Sequence, residues 1–165
     1  MRNARLMRIV ISVGTLLAAG SQAAVVAAPS CTIGGSAGGE VIVGTTGRDV
    51  ICAGGGNDWI DPRGGNDLVI AGPGDDFVRG SAGADVVKGG LGKDYLVGGP
   101  GPDHLFGADG ADRCLDTRDN VAGNDSASGG PGFDTGTRNP GDSFVGIERT
   151  TTVAPYCPPA PPRPF

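Results

Sequence analysis

The chain has 165 residues, among them 32 glycines and 13 prolines, with aromatics at 5% and charged residues at 19%. Gly and Pro both disfavour helix interiors, and so few aromatics build no thick core, which rules out a helical bundle and argues against an enzyme with a deep packed pocket. The formal net charge is −5, and the length allows one domain.

Residues 1–28 read as a secretory signal peptide. Met1 to Arg8 carries three arginines and no acid, Ile9 to Ala19 is apolar, and small residues follow to Ala28. That is the order of charged, apolar and small regions that export signals share. The apolar run falls short of the ~20 residues of a membrane-spanning helix. Ala23, Ala27 and Ala28 are the candidate cleavage points. Removal of Arg2, Arg5 and Arg8 leaves ten basic against 18 acidic residues, a charge of −8 in place of −5. Binding to nucleic acid needs clustered Lys and Arg, so no nucleic-acid partner is expected, and no later run is apolar enough to span a membrane.

Residues 29–34 follow as an N-terminal cap, and from Gly35 the chain repeats every nine residues without a gap to Leu115. The fourth residue of each block is glycine: Gly38, Gly47, Gly56, Gly65, Gly74, Gly83, Gly92, Gly101 and Gly110. The sixth is a carboxylate: Glu40, Asp49, Asp58, Asp67, Asp76, Asp85, Asp94, Asp103 and Asp112. The eighth is apolar: Ile42, Ile51, Ile60, Val69, Val78, Val87, Leu96, Leu105 and Cys114. A four-residue insertion at 116–119 precedes two weaker blocks over 120–137, which keep Gly123 with Asp125 and Gly132 with Asp134. Ala127 and Gly136 stand in their apolar column and bury little. Residues 138–154 are a closing segment, and 155–165 form a Pro-rich tail expected to be extended.

Each block divides into a glycine turn, where positive φ and close backbone approach cost nothing, and a strand of about three residues with one inward aliphatic side chain. One such unit cannot bury its apolar residue alone. Stacked coils can, and their strands become parallel sheets spaced about 4.8 Å apart. The core stays thin. Two aliphatic side chains per turn, at ~1.5–3 kcal/mol each, do not offset the ordering of eighteen residues at ~1–2 kcal/mol apiece.

The blocks resemble GGxGxDxUx, the hemolysin-type calcium-binding nonapeptide of RTX proteins, a Ca²⁺-binding β-helix repeat. The resemblance covers about half the chain in unbroken form. It implies an all-β fold, a parallel β-roll or right-handed β-helix-like solenoid, with two nonapeptides per turn. The acids then fall on two edges: Glu40, Asp58, Asp76, Asp94 and Asp112 on one, Asp49, Asp67, Asp85 and Asp103 on the other. It also implies that the sixth-position aspartates bind Ca²⁺ with backbone carbonyls of the glycine turn, at Gly47, Gly56, Gly65, Gly74, Gly83, Gly92, Gly101 and Gly110, bridged by the next turn on the same edge. Glu40 departs from the pattern, and its extra methylene distorts the first site.

Bare carboxylates ~5 Å apart repel by roughly 3 kcal/mol at an effective dielectric near 20, so a ligand-free roll resists closing. Hard oxygen ligands suit Ca²⁺ with its 6–8 oxygens better than octahedral Mg²⁺, and zinc prefers Cys and His. The chain is expected to bind several calcium ions and to fold as it does so.

Cys31, Cys52, Cys114 and Cys157 are even in number in an exported chain, which permits disulfides. Three pairings are open. The favoured one is Cys31–Cys52 with Cys114–Cys157, clamping the two ends. The alternative for Cys114 is a small core hydrophobe.

No GxxxxGK[ST] loop occurs, and His104 is the one histidine. The paired acids repeat with the period rather than marking a glycosidase. Trp59 reads as surface packing. The expectation is a secreted, extracellular calcium-binding protein that is not an enzyme. The alternative is a cell-surface adhesive or structural module stiffened by calcium, with a cell-wall partner.

Overall fold

The computed structural model describes residues 29–119 and 124–151. Residues 1–28, expected to be an export signal, and the Pro-rich residues 155–165, with Cys157 and hence the Cys114–Cys157 pairing, lie outside the described residues.

Every nonapeptide contributes one short strand, and successive strands go to alternate sheets. One sheet holds β1 (Ile33–Gly34), β3 (Val50–Cys52), β5 (Leu68–Pro73), β7 (Val86–Gly92), β9 (His104–Gly110), β11 (Ser126–Ser128) and β13 (Ser143–Val145). The other holds β2 (Val41–Val43), β4 (Trp59–Asp61), β6 (Phe77–Arg79), β8 (Tyr95–Val97), β10 (Arg113–Asp116), β12 (Thr135–Thr137) and β14 (Arg149–Thr151). All pairings are parallel, and partners such as Ile51 and Val69 lie eighteen residues apart. The molecule is therefore an all-β parallel solenoid with two repeats per turn, the β-roll that the resemblance implies. Among the described residues there is no helix, so none that is long and apolar enough to cross a membrane.

The apolar column lines the space between the sheets. Ile51, Ile60, Val69, Val78, Val87, Leu96 and Leu105 are all buried, and Ala53 and Ala71 join them from first positions of their repeats. Glycine lets the coils stack this closely. Gly83 sits at φ +148°, and a Cβ there would collide with the carbonyl oxygen of Gly65 in the preceding turn. An Ala at that position therefore meets both a forbidden backbone region and a fixed backbone atom.

The column slips once. Between Arg113 and Asp116 the register against β8 shifts by one residue, a β-bulge. Leu115 takes the register that the period gives to Cys114, fully buried and paired with Gly136. The bulge takes up one of the four inserted residues. Partners across β10 and β12 are consequently 21 apart, whereas those across β9 and β11 are 22 apart.

The ends are closed by different means. At the N-terminus a disulfide joins Cys31 to Cys52, with Cα atoms 5.8 Å apart, as the favoured pairing expects. At the C-terminus Ala127 and Gly136 leave the core hollow. Phe144 pairs with Ala127 in register and packs against the core, and its ring edge approaches Gly136 on the opposite sheet.

Candidate metal centre

The sixth-position acids form the two ladders that alternation requires, and they are buried. Asp49, Asp58, Asp67, Asp76, Asp85, Asp94, Asp103 and Asp112 are each at most 5% exposed. Every one of them except Asp49 also treats its two carboxylate oxygens differently.

Oδ1 points back along the ladder and accepts the backbone N–H of the preceding acid on the same edge. On one edge Glu40 donates to Asp58, Asp58 to Asp76, Asp76 to Asp94 and Asp94 to Asp112. On the other Asp49 donates to Asp67, Asp67 to Asp85 and Asp85 to Asp103. The distances run from 2.7 to 3.0 Å. Both ladders cross the insertion. Asp103 donates to Asp125 and Asp112 to Asp134, now 22 residues on. Asp134 in turn donates to the Oε2 of Glu148 at 2.6 Å.

Oδ2 is the oxygen with nothing to do. In Asp58, Asp67, Asp76, Asp85, Asp94, Asp103, Asp112, Asp125 and Asp134 it is buried without a hydrogen-bond partner. A buried anionic oxygen without a partner is costly, and one repeated nine times along two edges is a built feature. Backbone oxygens stand beside it. A Cβ placed on Gly80 would lie 2.9 Å from Asp85 Oδ2 and 2.5 Å from the carbonyl oxygen of Gly98 in the next turn. Gly89, Gly98, Gly107 and Gly129 crowd Asp94, Asp103, Asp112 and Asp134 in the same way. The open face of each first-position glycine is thus a cradle lined by carboxylate and carbonyl oxygens. In the repeats of Asp58, Asp67 and Asp76 that position is filled by Ala53, Pro62 and Ala71.

The electrostatics follow from burial. Burial pushes the Asp58, Asp94 and Asp103 carboxyls up to about 7 from the ordinary 3.8, and Asp76, Asp85, Asp112 and Asp125 to about 6. Asp67 and Asp134 are raised for the same reason. In each case the amide bond to Oδ1 pulls the other way, and neighbouring carboxylates add to the rise. The ladders are sites where negative charge lacks compensation.

The first coil differs. The Glu40 carboxylate turns back to accept from the N–H and hydroxyl of Ser36, both at 2.8 Å. Asp49 Oδ2 accepts from the N–H and hydroxyl of Thr45 at 2.7 and 3.0 Å. Asp49 is therefore a satisfied end-coil acid, unlike the aspartates that follow.

The fourth-position glycines Gly56, Gly65, Gly74, Gly83, Gly92, Gly101 and Gly110 all have positive φ at the turns, whereas Gly47 in the first coil does not. Among the described residues no three His, Cys, Asp or Glu side chains gather as a metal cluster. A cation on these edges would take the rest of its shell from backbone oxygen, which suits Ca²⁺. His104 lies elsewhere, exposed, its Nδ1 2.5 Å from Ser126 Oγ.

Asp125 and Asp134 continue the ladders although their apolar column has decayed, and the Gly123–Asp125 and Gly132–Asp134 spacing signals both. Glu148 has no such signal, because it stands outside the period.

A parallel solenoid with an aspartate edge on either side is consistent with the calcium-binding class of β-rolls. The chain matches the family described as RTX calcium-binding nonapeptide repeat in four overlapping copies, over residues 34–69, 63–96, 70–105 and 89–115. It belongs to that family and is a calcium-binding repeat protein. No curated protein and no solved structure matches the chain.

Proposed function

We propose that this chain is a secreted, non-catalytic module that binds several Ca²⁺ ions between turns and becomes ordered as it does so. The signal segment 1–28 directs export, 29–34 caps the roll, 35–137 is the calcium-binding roll and 138–154 closes it. The observation that carries this reading is the row of buried Oδ2 atoms without partners.

Asp58, Asp67, Asp76, Asp85, Asp94, Asp103 and Asp112 hold the ions with carbonyl oxygens of the glycine turns. Asp125 and Asp134 extend the set, and Asp49 is the weakest member because Thr45 already engages it. A bound divalent cation supplies the positive charge that these edges lack. The aspartates fix their own aim, since each Oδ1 is tied to a backbone amide and Oδ2 has one direction left.

Coupling to folding is supported by the thin core, which has one large, fully buried aliphatic side chain per repeat from Ile51 to Leu115. The test is calorimetric titration of the purified chain with calcium, with circular dichroism in parallel. Several ions bound and a rise in β signal are expected. A stoichiometry of zero or one refutes the reading, as does an equally folded chain in chelator.

A further inference from the structure

The cradles beside the Oδ2 atoms are not alike, and the difference lies at the first position of each repeat. Ala53 and Ala71 show where a side chain there goes: both are fully buried in the apolar cluster. Where the residue is glycine, that space is open. A Cβ on Gly80 would lie 2.9 Å from Asp85 Oδ2 and 2.5 Å from the carbonyl oxygen of Gly98, close to the ~2.3–2.6 Å of a calcium–oxygen bond. A Cβ on Gly107 would lie 2.7 Å from the carbonyl oxygen of Gly129 and press on Asp112 Oδ2. A methyl group and a cation compete for the same space. Gly80, Gly89, Gly98, Gly107 and Gly129 leave it open beside Asp85, Asp94, Asp103, Asp112 and Asp134. Ala53, Pro62 and Ala71, all buried, fill it beside Asp58, Asp67 and Asp76.

The second position decides whether the acid needs a cation at all. In the first coil Ser36 and Thr45 turn their N–H groups and hydroxyls onto Glu40 and Asp49. From Gly54 to Ala108 every second position has positive φ, and the chain's own donors turn away. Ser81 is the telling case. Its φ is +77°, its hydroxyl goes to Asp61 Oδ1 at 3.2 Å, and Asp85 Oδ2 keeps no partner. Alanine and proline side chains carry no donor, so Asp58, Asp67 and Asp76 combine an unmatched oxygen with a filled cradle.

Resting on the reading that these oxygens hold calcium, we propose that the first-position residue sorts the sites of the roll into two classes. Sites beside Asp85, Asp94, Asp103, Asp112 and Asp134 are tight, because glycine leaves the cradle open. Sites beside Asp58, Asp67 and Asp76 are weak, because a cation there must displace a core methyl group or a proline ring. The turns with filled cradles have other supports. The Cys31–Cys52 disulfide closes the coil before them, and Trp59 and Phe77, in the repeats of Asp58 and Asp76, stack on each other with ring centroids 5.7 Å apart.

Calorimetric titration of the full chain with calcium at neutral pH tests this. Two phases are expected, the second weaker by about tenfold or more. Ala53→Gly combined with Ala71→Gly should move two ions from the second phase to the first. Gly89→Ala should move one ion the other way. Ala82→Gly, at the third position of a turn, should change neither phase, which separates an opened cradle from a loosened backbone. If Gly89→Ala does not fold, the alanine-to-glycine pair, which adds no atom, carries the test. If that pair does not fold, Ala71→Gly alone should move one ion. Several ions bound in a single phase overturn the proposal and leave calcium binding itself intact, as do phases that ignore the first-position substitutions. An ion count of zero or one overturns both the proposal and the reading beneath it.

Discussion

The backbone N–H of Asp76 donates to Oδ1 of Asp94, eighteen residues later, at 3.0 Å, while Oδ2 of Asp94 stays buried and without a partner. One side chain thus does two jobs. Half of the carboxylate ties adjacent turns together, and the other half carries the charge that a cation requires.

An Asp94→Asn substitution separates these jobs. The amide oxygen of the new side chain can still accept from the N–H of Asp76, so the stacking bond survives. The charge does not. Calcium stoichiometry should fall and overall affinity weaken by about tenfold, ~1.4 kcal/mol. In chelator the variant should be more ordered than the parent, because a desolvated carboxylate has gone. Calorimetry and circular dichroism on the two proteins check both signs. An unchanged stoichiometry would remove Asp94 from the site.

The raised carboxyl groups fix the pH response. In the folded chain they titrate at about 6 to 7, against 3.8 for an ordinary aspartate. Between those values the folded state binds more protons than the unfolded state. Calcium-free stability is therefore greatest below about pH 4 and is lost as pH rises through about 6 to 7. With calcium the trend inverts, since metal and protons compete for the same oxygens. Circular dichroism in chelator should show more β structure at pH 5 than at pH 8, and calcium affinity should climb over the same interval. More order at pH 8 in chelator would contradict the burial argument.

Second positions of the repeats offer a gain. Arg63, Ser81 and Ala108 adopt φ of 76–77° without being glycine, a conformation that disfavours any side chain. Ala108→Gly should raise stability in calcium by roughly 0.5–1 kcal/mol, the relief of strain less the entropy of glycine. Gly90→Ala should do the reverse and by more, roughly 2 kcal/mol or above. Gly90 has φ +130°, and a Cβ would press on the carbonyl of Gly72. Urea denaturation in calcium measures both.

The columns of glycine, carboxylate and aliphatic residues were legible because each answers to one local constraint: a turn, an edge or a core. Stacking those constraints gave parallel sheets, and the alternation between two of them came with the family resemblance. What the period did not carry is what breaks it. Cys114 sits in the apolar column by count, yet Leu115 fills the core, because a bulge at the insertion shifts register by one. Thr45 satisfies Asp49 Oδ2 through its N–H and hydroxyl, a contact that depends on a threonine at the second position of that one repeat. Glu148 ends a ladder from outside any repeat. Such contacts depend on where the solenoid stops, and no nine-residue pattern records that.

The C-terminal plug shows how a weak repeat is repaired. Gly136 stands where the column needs volume, and Phe144 supplies that volume from the facing sheet. A Cβ on Gly136 would come within 2.6 Å of Phe144 Cε2. The Arg138 guanidinium lies 5.5 Å from the ring centroid on another side and adds a cation–π contact. Phe144→Ala should cost about 2–3 kcal/mol, below the value for a fully buried ring because Phe144 is only partly buried. Gly136→Leu alone should cost about 1–3 kcal/mol by overpacking. Together the two changes exchange the filler between the sheets, and a leucine side chain at the inward position restores the aliphatic column that earlier repeats carry. The double variant should therefore be more stable than either single one, with a coupling of at least ~1 kcal/mol. Thermal denaturation of all four proteins in calcium tests this, and strict additivity would show that the ring and Gly136 do not share one cavity.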